Sequence, residues 1–161
     1  MKRQVIVLMI GSIILLLTAA VSGVAIGAPA GSAAVSQEEQ LAFELINADR
    51  AASGRAVLAW NPQLAELARD YCHDMVSRNF FSHDNPEGQS PFDRMKARGI
   101  KFRAAAENLA GDSSVEAAEK AFMDSPGHRA NILDSDFDQV GIGVGRERDG
   151  LVVVVQEFIG N

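Results

Sequence analysis

Apolar residues in this chain recur at two periods, and the change between them separates a helical region from a region of strands. Ser36 and Glu39 have the spacing of a capping box, and Leu41, Leu45 and Ala48 then follow at helical intervals until residues 52–54 (Ala-Ser-Gly) stop the pattern. Asn61 before Pro62 reads as an N-cap with proline at the first helical position, and Leu64, Leu67, Tyr71 and Met75 form a stripe down a second helix. Ser90-Pro91 repeats that start for a short helix carrying Phe92 and Met95, which Gly99 ends. A fourth helix begins near Ser113, with Glu116 completing a second box and Val115, Ala118 and Phe122 facing inward. From residue 139 the period shortens. "QVGIGVG" and "LVVVVQEF" are β-branched runs, and the Asp149-Gly150 turn signal between them predicts an antiparallel hairpin over residues 139–158. "KFRAAAENLA", residues 101–110, is the candidate for one further strand. Four helices layered on a small antiparallel sheet make an α+β domain.

The chain ahead of this pattern has another character. Lys2 and Arg3 are followed by no charged residue until Glu38, and the apolar run from Val5 passes into small residues at Ala28-Pro29-Ala30. Residues 1–36 therefore read as a signal peptide or an uncleaved N-terminal anchor helix plus a short linker, and residues 37–161 as the folded domain. In both cases the basic start stays inside and the domain is delivered outside. Without Lys2 and Arg3 the 15 basic residues fall to 13 against 21 acidic ones, a formal charge of −8 for the domain. A surface so acidic repels phosphate backbones and argues against nucleic-acid binding. The single Cys72 cannot form an internal disulfide, so the exported domain is held by its core, with Cys72 packed as a small apolar residue.

Two of the three histidines, His83 and His128, stand beside the strongest turn formers, in "SHDNPEG" and "SPGHRANIL", at the ends of predicted elements. The third, His73, lies off the apolar stripe of its helix and reads as an exposed residue. Glu107 falls in the candidate strand. Two imidazoles and a carboxylate from separate elements can hold a borderline divalent cation or share a proton, while a helix-end histidine alone more often serves the dipole or a cap. No Gly-x-Ser-x-Gly elbow exposes a serine nucleophile, and "GIGVG" lies inside a strand without the lysine and helix of a phosphate loop. Its glycines suit close packing or a bulge.

The blocks "NFFSHDNPEGQSPFDRMKARGI", "AENLA", "AFMDSPGHRANIL", "VGIGVG" and the terminal "QEF", in this order across residues 38–158, resemble the CAP superfamily of cysteine-rich secretory, antigen five and pathogenesis-related proteins, in its short, disulfide-free bacterial branch. The resemblance implies a three-layer α-β-α sandwich with a cavity where two histidines and two acids converge, described in several members as a divalent-cation site. Position by position, it places the metal set at His83, Glu107 and His128, with Asp124 as the second acid and Glu119 as the weaker candidate for it. Ala106 stands where the family commonly has glycine, and Asn108 and Asn131 flank the set. Zinc is the first expectation for the ion, magnesium or calcium the others. The resemblance also implies an extracytoplasmic binding module for a lipid, cell-wall or protein ligand, touching the membrane only through the leader, with a metal- or Glu107-assisted hydrolase as the rival.

Overall fold

A computed structural model describes residues 34–161, and the leader expected over residues 1–36 lies almost wholly outside them. Five helices and four strands follow in the order α1 (Gln37–Ala52), β1 (Ala59–Trp60), α2 (Pro62–Arg78), α3 (Pro91–Ala97), β2 (Ala104–Asp112), α4 (Val115–Asp124), α5 (Pro126–Leu133), β3 (Gln139–Arg146) and β4 (Val152–Gly160). The starts of three helices are those their sequences specify. Ser36 and Glu39 close a reciprocal capping box on α1, Asn61 caps α2 with Pro62 behind it, and Ser90 caps α3 in a box completed by Asp93. Helix α4 is capped by Ser114, one residue later than expected, because its hydroxyl and not that of Ser113 accepts from the Ala117 amide.

Two elements were not expected. The chain breaks at Ser125, whose extended backbone ends α4, and Pro126 at once opens a fifth helix, so His128 sits in the first turn of α5 and not in a tail after α4. The short β1 pairs in parallel with β3, which makes the sheet mixed where an antiparallel one was expected. The strand order is β1-β3-β4-β2, with β4 antiparallel to both neighbours and β2 at the edge.

Helices cover both faces of this sheet. Alternate residues of β4 divide between the layers: Val152, Val154 and Phe158 join Ala42, Ile46, Phe122 and Ile132 of α1, α4 and α5, whereas Val153 and Val155 join Tyr71, Cys72 and Met75 of α2. Every residue of β4 is buried, which is why its sequence is an unbroken β-branched run instead of an alternating one. On α1 the buried stripe is Ala42, Ile46 and Arg50, one position beyond the expected one; Leu41 and Leu45 flank it and Ala48 is exposed.

Two close fits hold the layers in register. A side chain on Gly143 would lie 2.3 Å from the backbone of Ala68, and one on Gly141 2.2 Å from that of Ala65, so α2 rests directly on β3. Cys72 packs in the same seam with its thiol 3.2 Å from the Gly143 carbonyl, and burial pushes that thiol far above its usual range. Across the sheet, buried Arg50 donates to the carbonyls of Ala56, Ile132 and Asp134 at 2.6–2.8 Å, tying α1 to the end of α5. That clamp fixes the helix bearing His128.

Candidate functional site

The site lies at the free edge of β2, and the alternation of its side chains explains how. Glu107 pairs with Glu157 and Asn108 with Gln156 across the β2–β4 ladder. Directly opposed residues share a face and consecutive ones do not, so the two acids point into the α2–α3 layer and the two amides into the α4–α5 layer.

On the acidic face, His83 arrives from the loop after α2. Its Nδ1 lies 2.7 Å from Oε1 of Glu107, and Arg94 of α3 donates from Nη2 to the other oxygen at 2.5 Å. A carboxylate can only accept, so the Nδ1 nitrogen carries a proton, and the tautomer this selects for an uncharged ring leaves the lone pair on Nε2. The His83 side chain is 55% exposed while that of Glu107 is 1% exposed, so the ring is gripped from behind and open in front. The loop is equally determined. Arg94 Nη1 donates to the His83 carbonyl at 2.8 Å and to that of Gln89 at 3.1 Å, Tyr71 donates its hydroxyl to the carbonyl of Ser82 at 2.6 Å, and the Arg94 guanidinium lies 3.4 Å over the Tyr71 ring.

Glu157 completes this face. It is fully buried, neither oxygen meets a hydrogen-bond donor, and Arg94 Nη2 stays 3.9 Å away. Burial, and then the neighbouring Glu107, push its carboxyl well above the usual range, which favours the protonated form of Glu157.

On the opposite face a chain of amides carries α5. Asn131 donates to Asn108 at 2.9 Å; Asn108 donates to the His128 carbonyl at 3.2 Å and to Gln156 at 3.1 Å; Gln156 donates to Glu119 at 2.7 Å. Glu119 is buried with its other oxygen unpartnered, and burial raises its carboxyl to about 7. His128 packs edge-on against Phe122, with ring centroids 5.2 Å apart. Burial and then the nearby His83 lower its pKa, which favours the neutral imidazole. The two histidines thus come from opposite layers of the sandwich, and the charge of His83 is felt at His128.

The fourth expected residue is elsewhere. Asp124 is exposed at the end of α4, pairs with Lys120 one turn back, and lines a separate hollow with Met123, Arg129 and Leu133. Its position before the chain break at Ser125 turns it outward. Glu119, the weaker candidate, is the acid bonded into the site's amide chain, although it faces Gln156 and not the imidazoles. Ala106 lies in regular strand, and Asn79 is the one non-glycine residue of positive φ among the described residues, so the alanine at that position imposes no strain. Arg94, Tyr71, Gln156 and Glu157 escaped the sequence reading; the one signal available was a Gln-Glu pair inside a fully apolar strand.

Imidazole nitrogens are the donor type a borderline divalent cation takes, and Glu107 is placed to orient the His83 ring from behind. These residues do not supply a preformed set: among the described residues no three His, Cys, Asp or Glu side chains are grouped to hold an ion. Beside His83 and Glu107 is a cleft of about 440 Å³, whose lining also includes Asp84, Phe92, Ala105, Ala106 and Asn131.

Known proteins share both the sequence and this architecture. The Bacillus subtilis protein YkwD, itself uncharacterized, is 39% identical over 127 residues, 78% of this chain and 48% of its own length. The crystal structure of an extracellular protein containing an SCP domain from Bacillus anthracis superposes with a TM-score of 0.69 at 34% identity, covering 77% of this chain and 40% of that one. An outer surface protein from Borrelia burgdorferi has the same fold, with a TM-score of 0.73 at 19% identity over 80% of this chain and 96% of its own. The chain thus spans less than half the length of these two Bacillus proteins. Residues 43–158 match the model of the cysteine-rich secretory protein family, and the chain belongs to that family, the CAP domains.

Proposed function

We propose that this protein is an extracytoplasmic binding module of the bacterial cell envelope, whose cleft takes a divalent cation, zinc before magnesium or calcium, between His83 and His128. The observation that carries the reading is the contact of 2.7 Å between His83 Nδ1 and Glu107 Oε1, behind a ring that is otherwise open. It sets the tautomer in which Nε2 is a ligand, and the depressed pKa of His128 supports the same form there. Imidazole donors suit zinc better than the oxygen-seeking ions. A bound cation would supply a positive centre for an anionic or carbonyl oxygen of a ligand. Export is supported by the apolar leader and by the relatives described as extracellular and outer-surface proteins. Whether the leader is removed or retained is answered by N-terminal sequencing of the chain from medium and membrane fractions.

The hydrolase reading has less support, because both oxygens of Glu107 are engaged and neither is open to take a proton from water. Calorimetric titration of the protein with zinc at pH 7.5 tests the binding reading. One saturable site is expected, abolished in both His83→Ala and His128→Ala; zinc uptake that survives both substitutions would refute it.

A further inference from the structure

We propose that the same cleft takes the C-terminal end of an extended peptide, added as a fifth strand to the open edge of β2. The inference rests on the cleft being a ligand site, but not on the metal.

Its basis is the arrangement of the cleft wall. Ala105, Ala106 and Glu107 are consecutive and all line the cleft. Side chains alternate between the faces of a sheet, so a cavity that touches three in succession meets the strand along its edge and not on one face. That edge is available: β2 pairs with β4 alone, and nothing in residues 34–161 hydrogen-bonds to the outward backbone of residues 104–107. Beyond Glu107 the amide contact between Asn131 and Asn108 brings α5 against the strand. The open stretch is therefore about four residues, some 14 Å at roughly 3.4 Å per residue. Three alanines leave it unobstructed, and Phe92, 41% exposed on the cleft wall with Pro91, offers an apolar contact to one peptide side chain.

Charge gives the direction. Lys101 and Arg103, just before β2, are exposed and have no acidic partner among the described residues. A peptide antiparallel to β2 would bring its terminal carboxylate to these two cations and lead its chain back toward His83. A fatty acid could offer its carboxylate to the same cations, but its chain would leave the row of backbone donors and acceptors unpaired, which favours the peptide.

The test uses the full chain in EDTA, which separates it from the zinc titration, and a fluorescein-labelled Thr-Val-Thr-Phe peptide followed by anisotropy. Saturable binding is expected, weakened about tenfold by amidating the C-terminus, a loss of ~1.4 kcal/mol. N-methylation of alternate peptide nitrogens should abolish it. In Arg103→Glu the preference for the free carboxylate should disappear, and amide exchange of the outward residues of Ala104–Glu107 should slow at least ~10-fold in the complex. An N-methylated peptide that binds as well as its parent would overturn the proposal. So would absence of saturable binding, or a cleft that palmitate occupies while the peptide does not.

Discussion

The Nδ1 nitrogen of His83 and Oε1 of Glu107, 24 positions apart in the chain, lie 2.7 Å apart at the edge of the sheet. The carboxylate is almost inaccessible and the imidazole is not. Glu107 is thus positioned to orient the ring and not to meet a ligand itself. Glu107→Gln should therefore leave a zinc site that is weaker by about 10- to 100-fold, whereas His83→Ala should remove it. Because protons compete for the same lone pairs, zinc affinity should fall between about pH 7.5 and 5.5. Titration at the two pH values checks this; affinity that stayed level would exclude imidazole ligation.

Arg94 is the strut of the His83 loop. It is 9% exposed and neutralises Glu107 while holding two loop carbonyls. Arg94→Met leaves the Glu107 carboxylate buried without its partner and should lower unfolding free energy by ~3–5 kcal/mol, read as a shift in urea midpoint. Zinc affinity should fall with it. A variant of unchanged midpoint would show that the ion pair contributes nothing net.

Glu119 should make stability depend on pH in an unusual direction. The unfolded carboxyl ionises near 4.5 and the folded one near 7, so between these values the unfolded state releases its proton more readily. Stability present below pH 4.5 is lost as pH rises toward 7 and stays lost above it, by an amount on the order of 3 kcal/mol. Glu119→Gln keeps the acceptor for Gln156 and cannot ionise. It should be more stable than the parent at pH 8, with the difference shrinking toward pH 5. Parallel urea midpoints across that range would contradict the raised pKa.

Gly143→Ala tests the seam between α2 and the sheet. The added carbon would fall 2.3 Å from the Ala68 backbone, where no flexible side chain can give way. Helix and strand must separate, and a loss of more than ~3 kcal/mol is expected in thermal or urea unfolding. Gly127→Ala, a position with open space around it, serves as the control and should differ little from the parent.

The helices capped by Ser36, Asn61 and Ser90, the hairpin turned at Asp149-Gly150 and the inward faces of α2 and α4 are all legible in the sequence. Each depends on contacts within a few residues. Capping and side-chain periodicity are local physics, and the ordered blocks around His83, Glu107 and His128 added the family. What the sequence could not decide is anything that turns on which residues become neighbours. The two-residue β1 is a strand only because β3 lies beside it, whereas the start of α5 at Ser125-Pro126 is a local signal of the kind that opens α2 and α3. Asp124 and Glu119 are five positions apart on one helix, yet only the tertiary structure makes one a solvent-facing partner of Lys120 and the other a buried acid bound to Gln156. Arg94 and Glu157 became part of the site in the same way: the antiparallel register set Glu157 beside Glu107, and burial, which no local pattern measures, raised the Glu157 carboxyl while Arg94 paired with Glu107.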